Sequence, residues 1–151
     1  VYGNGIVRGN GIVRDHGIVC GNGKVYGNGI VRGNGKVYDY GEVCGNGIVC
    51  DYGEVCGNGE VCDRGMVCKP TDILLVGPLG SRNDTTTFYK TADGGVGVTC
   101  GCFNGTLDEF LEAVEKKYGE KADGDKQDNQ YNYTRYKMAA DMAKVQILTE
   151  D

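Results

Sequence analysis

The chain has no run of about 18 consecutive apolar residues, the length a membrane-spanning helix needs. It also has no segment with the order of charged, apolar and small residues that marks a signal peptide. A soluble protein is the expectation. Only one histidine is present, His16, and no two cysteines form a Cys-x-x-Cys pair, so the usual ligand sets of a structural zinc site are missing. Basic charge is short as well: 16 Lys and Arg face 21 Asp and Glu, for a net charge of −5. By segment the counts are 6 basic and 7 acidic through Cys68, then 10 and 14 beyond it. Neither part has the positive footprint of a nucleic-acid binder, and the acidic excess of residues 69–151 is too small to imitate a nucleic acid.

Glycine is what the chain has in abundance, 27 residues, and it holds the apolar content to a somewhat low 40%. The length, 151 residues, suits one ordinary domain or two small ones. The glycines are in phase. Val recurs every six residues at positions 1, 7, 13, 19, 25, 31, 37, 43, 49, 55, 61 and 67, and Gly stands four residues after each of the first eleven. The unit is Val-x-(Gly/Asp)-x-Gly-x. One such unit cannot bury its own valine, so the period implies stacked coils. A flexible Gly-rich linker would not keep a β-branched residue in phase, and a polyproline-II bundle would need a period of three. The chain opens at Val1, inside a repeat and without Met, and further repeats before it are expected.

The unit resembles that of hexapeptide-repeat, left-handed β-helix proteins, which carry an aliphatic residue at the first place and a small one at the fifth. The resemblance covers residues 1–68 and implies a mainly β fold: a triangular left-handed parallel β-helix of 18 residues per coil and about four coils. Each unit then supplies one short strand, such as Gly5-Ile-Val-Arg8, and a corner at Gly9-Asn10 or at Asp15-His16, Asp39-Tyr40, Asp51-Tyr52 or Asp63-Arg64. Val and the fifth-place Gly point inward. Alternation along the strand sends the residues on either side of Val outward.

Residues 18 apart stack, at roughly 4.8 Å per rung. One outward column is apolar throughout, Ile12, Ile30, Ile48 and Met66, beside Arg14, Arg32, Cys50 and Cys68. A second stacks Ile6, Lys24, Glu42 and Glu60 beside Arg8, Tyr26, Cys44 and Cys62, and a third stacks Ile18, Lys36 and Glu54. An apolar ladder of this kind marks a covered surface, with the C-terminal module folded back on it, a second copy in a dimer or trimer, or another protein as the cover. Stacked cysteines come within disulfide range, but parallel side chains on neighbouring strands point the same way. Free thiols in a reducing cytosol are expected, with no metal and no cofactor.

The repeat stops at Lys69-Pro70. Asp72–Gly77, Thr85–Thr91 and Gly95–Phe103 read as strands, with a hairpin turn at Ala92–Gly95. Thr106 opens a helix to about Tyr118, with Glu109 at the capping-box place. Residues 120–132 read as a polar loop, and a last helix runs from about Tyr133 to Leu148. Its inner face is read as Tyr136, Ala139, Ala140, Met142, Ala143 and Ile147. Residues 69–151 therefore form a small βββαα domain. Val76-Gly-Pro-Leu-Gly-Ser-Arg-Asn-Asp84 and Gly101-Cys-Phe-Asn-Gly-Thr-Leu-Asp-Glu-Phe110 are similar to segments in C-terminal modules of hexapeptide- or pentapeptide-repeat proteins of phages and gut bacteria, a resemblance that implies no biochemical activity.

Acyltransferases on the hexapeptide-repeat helix resemble one another in using a histidine base. His16 replaces Asn at a corner here, and no loop interrupts the repeats to build a cofactor tunnel. The loop after Val76 offers backbone amides with Ser81, Arg82, Asn83, Asp84 and Thr85 to an anion, yet it lacks the Lys-Ser/Thr ending of a phosphate loop. Cys102 and Phe103 complete the candidate binding residues. The expected function is a non-enzymatic interaction protein. Its β-helix is a rigid or oligomerising platform, its module is the binding head, and Ile12, Ile30, Ile48 and Met66 form an interface. A phage-encoded inhibitor of a host defence complex, acting in the host cytoplasm, is one expectation from the resemblance. A structural fibre or virion component and a phosphate- or nucleotide-binding or acyltransferase-like protein are the alternatives. No membrane and no nucleic-acid partner is expected.

Overall fold

The computed structural model describes residues 1–148. Residues 1–68 wind into a parallel β-solenoid in which residue i stacks on residue i+18. Ile6–Val7 (β1), Lys24–Val25 (β4), Glu42–Val43 (β7) and Glu60–Val61 (β10) form one sheet. Ile12–Val13 (β2), Ile30–Val31 (β5), Ile48–Val49 (β8) and Met66–Val67 (β11) form the second, and Ile18–Val19 (β3), Lys36–Val37 (β6) and Glu54–Val55 (β9) the third. Eleven strands make three complete turns and two strands of another, slightly short of four coils. The nine valines from Val19 to Val67 are fully buried. Within residues 1–148 the valines of the first coil have a stacked neighbour on one side only: Val1 is 62% exposed and Val7 and Val13 are half-buried, so the reading that buries Val1 is corrected for these residues.

Chemistry at the corners explains the third repeat place. Every corner there adopts positive φ, between 48° and 64°, which Gly takes freely and Asp tolerates. At two of the four Asp corners the carboxylate also ties the corner to the one stacked on it: Asp15 Oδ2 accepts from the Gly33 N–H and Asp39 Oδ2 from the Gly57 N–H, each at 3.2 Å. At the fourth place Asn10, Asn28 and Asn46 run in a side-chain ladder at 3.2 and 3.3 Å. The fifth-place glycine has a different reason. A methyl group on Gly35 would lie 2.9 Å from the Val49 carbonyl oxygen, so the coil interior has no room for one.

Cysteines depart from the expectation of free thiols. Cys44 is bonded to Cys62 and Cys50 to Cys68, across adjacent rungs with Cα atoms 4.7 and 4.5 Å apart. The stacking distance itself brings the sulfurs together, and the shared direction of the side chains does not keep them apart. Cys20, Cys56, Cys100 and Cys102 are free.

Beyond a short 3₁₀ turn at Pro70–Asp72, the module is an antiparallel sheet of Ile73–Leu79 (β12), Asp84–Lys90 (β13), Val96–Cys100 (β14) and Phe103–Thr106 (β15), in that spatial order. Two helices, Leu107–Tyr118 (α1) and Lys126–Leu148 (α2), pack on it. The sequence reading of Gly95–Phe103 as one strand is corrected: Gly101, at φ 58°, turns the chain and makes Phe103–Thr106 a fourth strand. The capping box holds, with Glu109 N–H donating to Thr106 Oγ1 at 3.2 Å and Thr106 N–H to Glu109 Oε1 at 3.0 Å. The second helix begins at Lys126, not Tyr133, because Asp125 Oδ1 accepts from the N–H groups of Gln127 and Asp128 at 2.8 and 3.1 Å.

The module closes the end of the solenoid instead of folding back along the Ile12–Met66 column. Ile73 and Tyr89 join the valine core, with Leu75 packed against it. The module's backbone and side chains grip the last coil: Thr87 Oγ1 accepts from the Glu60 N–H at 3.1 Å, and Thr99 Oγ1 donates to the Glu60 carbonyl at 2.8 Å. Ala92 N–H also donates to the Arg64 carbonyl at 2.9 Å. The column keeps its outward position, with Ile12 46% exposed and Ile30, Ile48 and Met66 half-buried.

Candidate functional site

Two tight turns lie at the same end of the module sheet. One joins β12 to β13 through Gly80 and Asn83, both at positive φ, and the other joins β14 to β15 through Gly101 and Cys102. Together with α1 and α2 they bound a cleft of about 200 Å³. Ser81, Arg82, Asp84, Cys102 and Phe103 line it, so five of the seven nominated residues converge. Asn83, exposed on the turn, and Thr85, on β13, are not part of the lining.

Cys100 and Gly101 join the lining from β14 and its turn, and helix residues that sequence reasoning missed supply the rest. Tyr118 and Tyr136 stack with ring centroids 5.8 Å apart, and Phe110 meets Tyr136 edge-on at 5.5 Å. Tyr118 Oη accepts from the Ser81 N–H and donates to Ser81 Oγ, both at 3.3 Å. Glycine 80 was the available signal, since a methyl group there would collide with the Tyr136 ring, 3.0 Å from Cζ. Gly101 is needed as well: its Cβ would lie 3.0 Å from Asp84 Oδ2.

The two phenols are driven apart electrostatically. Burial pushes Tyr118 up, but the hydrogen bonds with Ser81 and the Lys117 ammonium outweigh it and leave the phenol more acidic than usual. Tyr136 is raised, first by burial and then by Cys100, whose Sγ is 3.8 Å from its hydroxyl. Cys100 also accepts from Thr86 Oγ1 at 3.2 Å, whereas Cys102 is exposed at the turn. Cys100 thus ends β14, while Cys102 belongs to the turn that follows.

Arg82 and Lys117 bring positive charge to the cleft and Asp84 brings negative charge. The volume lies below the roughly 300–1,000 Å³ of drug-sized ligand sites and matches a small anion better than a nucleotide. A wider groove of about 720 Å³ runs along the junction of solenoid and module, between Asp63, Arg64 and Tyr89 on one side and Asp108, Glu109 and Lys144 on the other. His16 is exposed at its corner, with its N–H donating to the Gly33 carbonyl at 2.9 Å. None of the described helices is long and apolar enough to cross a membrane.

A different surface stands out on α2. Its inner face buries Tyr136, Ala139, Ala140, Ala143 and Ile147. Its outer face exposes Tyr131 (62%), Met138 (66%), Met142 (56%) and Val145 (69%). Met142, read as an inner residue, is thus an outer one: it falls about 100° per residue from Ala143 and joins the Met138 side of the helix. Comparison with protein-family models, curated proteins and solved structures gives no match to this chain.

Proposed function

We propose that this chain is a non-enzymatic interaction protein in which the solenoid is a rigid platform and the C-terminal module is the binding head. The observation that carries the reading is the second apolar face of α2. A helix packed on one side has no folding reason to place four large apolar residues on the other, and such a patch marks an association surface.

A second copy of the chain is the occupant this face fits. Tyr131, Met138 and Val145 are spaced by seven residues, which lines them along one seam. In an antiparallel pair with its two-fold axis beside Met138, the Tyr131 end of one helix meets the Val145 end of the other. Lys137 and Asp141 lie on the same flank, so each copy sets its Lys137 against the partner's Asp141. The product is a closed dimer that holds two solenoids at a defined angle. Light scattering tests it: the native chain should have twice the monomer mass, and Met138→Glu should halve it without loss of helix signal. A native monomer would refute this assembly.

The likeness of segments 76–84 and 101–110 to C-terminal modules of phage and gut-bacterial repeat proteins is what supports an origin in that setting. A fibre or virion component is the second reading, favoured by the Cys44–Cys62 and Cys50–Cys68 bonds, which persist in oxidising surroundings. An inhibitor in the host cytoplasm would carry the same four cysteines reduced. Capture of a defence complex from host lysate by the reduced protein, or incorporation into virions, separates the two.

A further inference from the structure

The rungs Glu42-Val-Cys44 and Glu60-Val-Cys62 are identical in sequence and stacked in register, Glu60 on Glu42 and Val61 on Val43. Alternation puts the two glutamates and two cysteines outward on one face, in a two-by-two grid. Both cysteines are nine-tenths or more buried. The two Sγ atoms and a carboxylate oxygen of Glu60 all lie within 4.8 Å of one another, with Cys62 Sγ 3.5 Å from Glu60 Oε1. We propose that this grid, once the Cys44–Cys62 bond is reduced, is a binding site for one thiophilic divalent cation of the zinc class, held by Cys44, Cys62 and Glu60.

Like charges directly opposite on neighbouring strands repel, and Glu42 and Glu60 are so placed. Glu42 is relieved on its far side by Lys24 at 4.0 Å, the one ion pair among the described residues. Glu60 has no such relief: it stands half-buried opposite Glu42, with no cation paired to it among the described residues. A cation would compensate both. Thiolates bound to zinc at about 2.3 Å in a tetrahedral site stand roughly 3.8 Å apart, a spacing that adjacent rungs with Cα atoms 4.7 Å apart supply without backbone movement. The module fixes the Glu60 backbone on both sides through Thr87 and Thr99. The second stacked pair, Cys50 and Cys68, differs in having Ile48 and Met66 where the first has glutamates, and only the exposed corner residue Asp51 nearby.

The chemistry balances in two steps. A dithiol reductant gives two electrons and two protons to the Cys44–Cys62 bond and becomes a cyclic disulfide itself. The cation then replaces the two thiol protons, which pass to solvent.

The test uses the full chain, reduced, desalted without air and dialysed against zinc, with elemental analysis, and against cobalt, whose thiolate charge-transfer band reports sulfur ligands. One ion per chain is expected in the reduced protein and none in the oxidised one. Cys62→Ser should abolish binding, Glu60→Gln should weaken it by at least about tenfold, and the double variant Cys50→Ser, Cys68→Ser should retain it. Glu60→Gln and the double variant leave the Cys44–Cys62 pair intact, so they decide the matter even where Cys62→Ser fails to fold. No ion in the reduced chain, no thiolate band with cobalt, or equal loss in the Cys50→Ser, Cys68→Ser variant would overturn the proposal.

Discussion

The ring of Tyr89 occupies the space in front of Gly65: a methyl group on Gly65 would lie 2.8 Å from Tyr89 Cδ2. Residue 65 carries the last fifth-place glycine of the repeat, and Tyr89, on the module strand β13, is 1% exposed. Two polypeptide segments 24 residues apart in sequence thus share one core, with the aromatic ring standing where a further coil would otherwise stack. Tyr89→Ala is expected to cost roughly 3–5 kcal/mol and to separate module from solenoid, seen as new protease cleavage near Lys69–Asp72. Tyr89→Phe should cost less, about 1–1.5 kcal/mol, because the hydroxyl gives up only a long bond of 3.5 Å to Asn104 Oδ1 and its contact with the Cys62 backbone.

Inside the array, the tightest glycine is Gly53. A methyl group there would overlap the carbonyl of Val67 on the next coil. Gly53→Ala should therefore lower stability by about 1–3 kcal/mol in urea unfolding, as overpacking does. Asn28→Ala removes only the exposed Asn10–Asn28–Asn46 ladder and should stay within about 0.5 kcal/mol. Equal costs would mean that the corner ladder, not the interior, sets the coil spacing.

How much of this was legible in the sequence differs by level. The solenoid was, since a six-residue phase held by Val from 1 to 67 has one packing solution, and the 18-residue stack followed from it. The Thr106–Glu109 capping box was legible too, because its chemistry is local. What failed was three-dimensional. Gly101 looks like any strand glycine until its positive φ turns the chain. Met142 matches an apolar stripe in a helix that is apolar on both sides. The disulfides required knowing that rung spacing overrides side-chain direction. The cleft was half-legible: Ser81, Arg82 and Asp84 are neighbours in sequence, but Tyr118 and Tyr136 reach them only through helix packing.

A pH dependence follows from Glu60. Its folded-state carboxyl is raised, by burial and then by Glu42, so the native state holds the proton more tightly than the unfolded chain. The contribution is present below the ordinary carboxylate range and is lost as pH rises through the raised value. Glu60→Gln should consequently raise the melting temperature of the metal-free protein near neutral pH and leave it unchanged in acid. Lower stability of the variant at neutral pH would show that ionised Glu60 is a favourable group.

The last prediction separates the two apolar surfaces. Ile30 and Ile48 are half-buried between their own rung neighbours, whereas Met138 and Val145 are two-thirds exposed. Assembly through α2 gains more apolar area per residue, at roughly 25 cal/mol per Å². Lysine is also native to the outward place that Ile30 and Ile48 occupy, at Lys24 and Lys36 on the other two sheets. The double variant Ile30→Lys, Ile48→Lys is thus expected to keep both fold and particle mass, while Met138→Glu halves the mass. The one stacked lysine pair it creates costs repulsion of only about a few tenths of a kcal/mol in water, too little to unfold the array. If instead the lysine variant dissociates and Met138→Glu does not, copies meet along the Ile12–Met66 column, and the outer face of α2 serves some other partner.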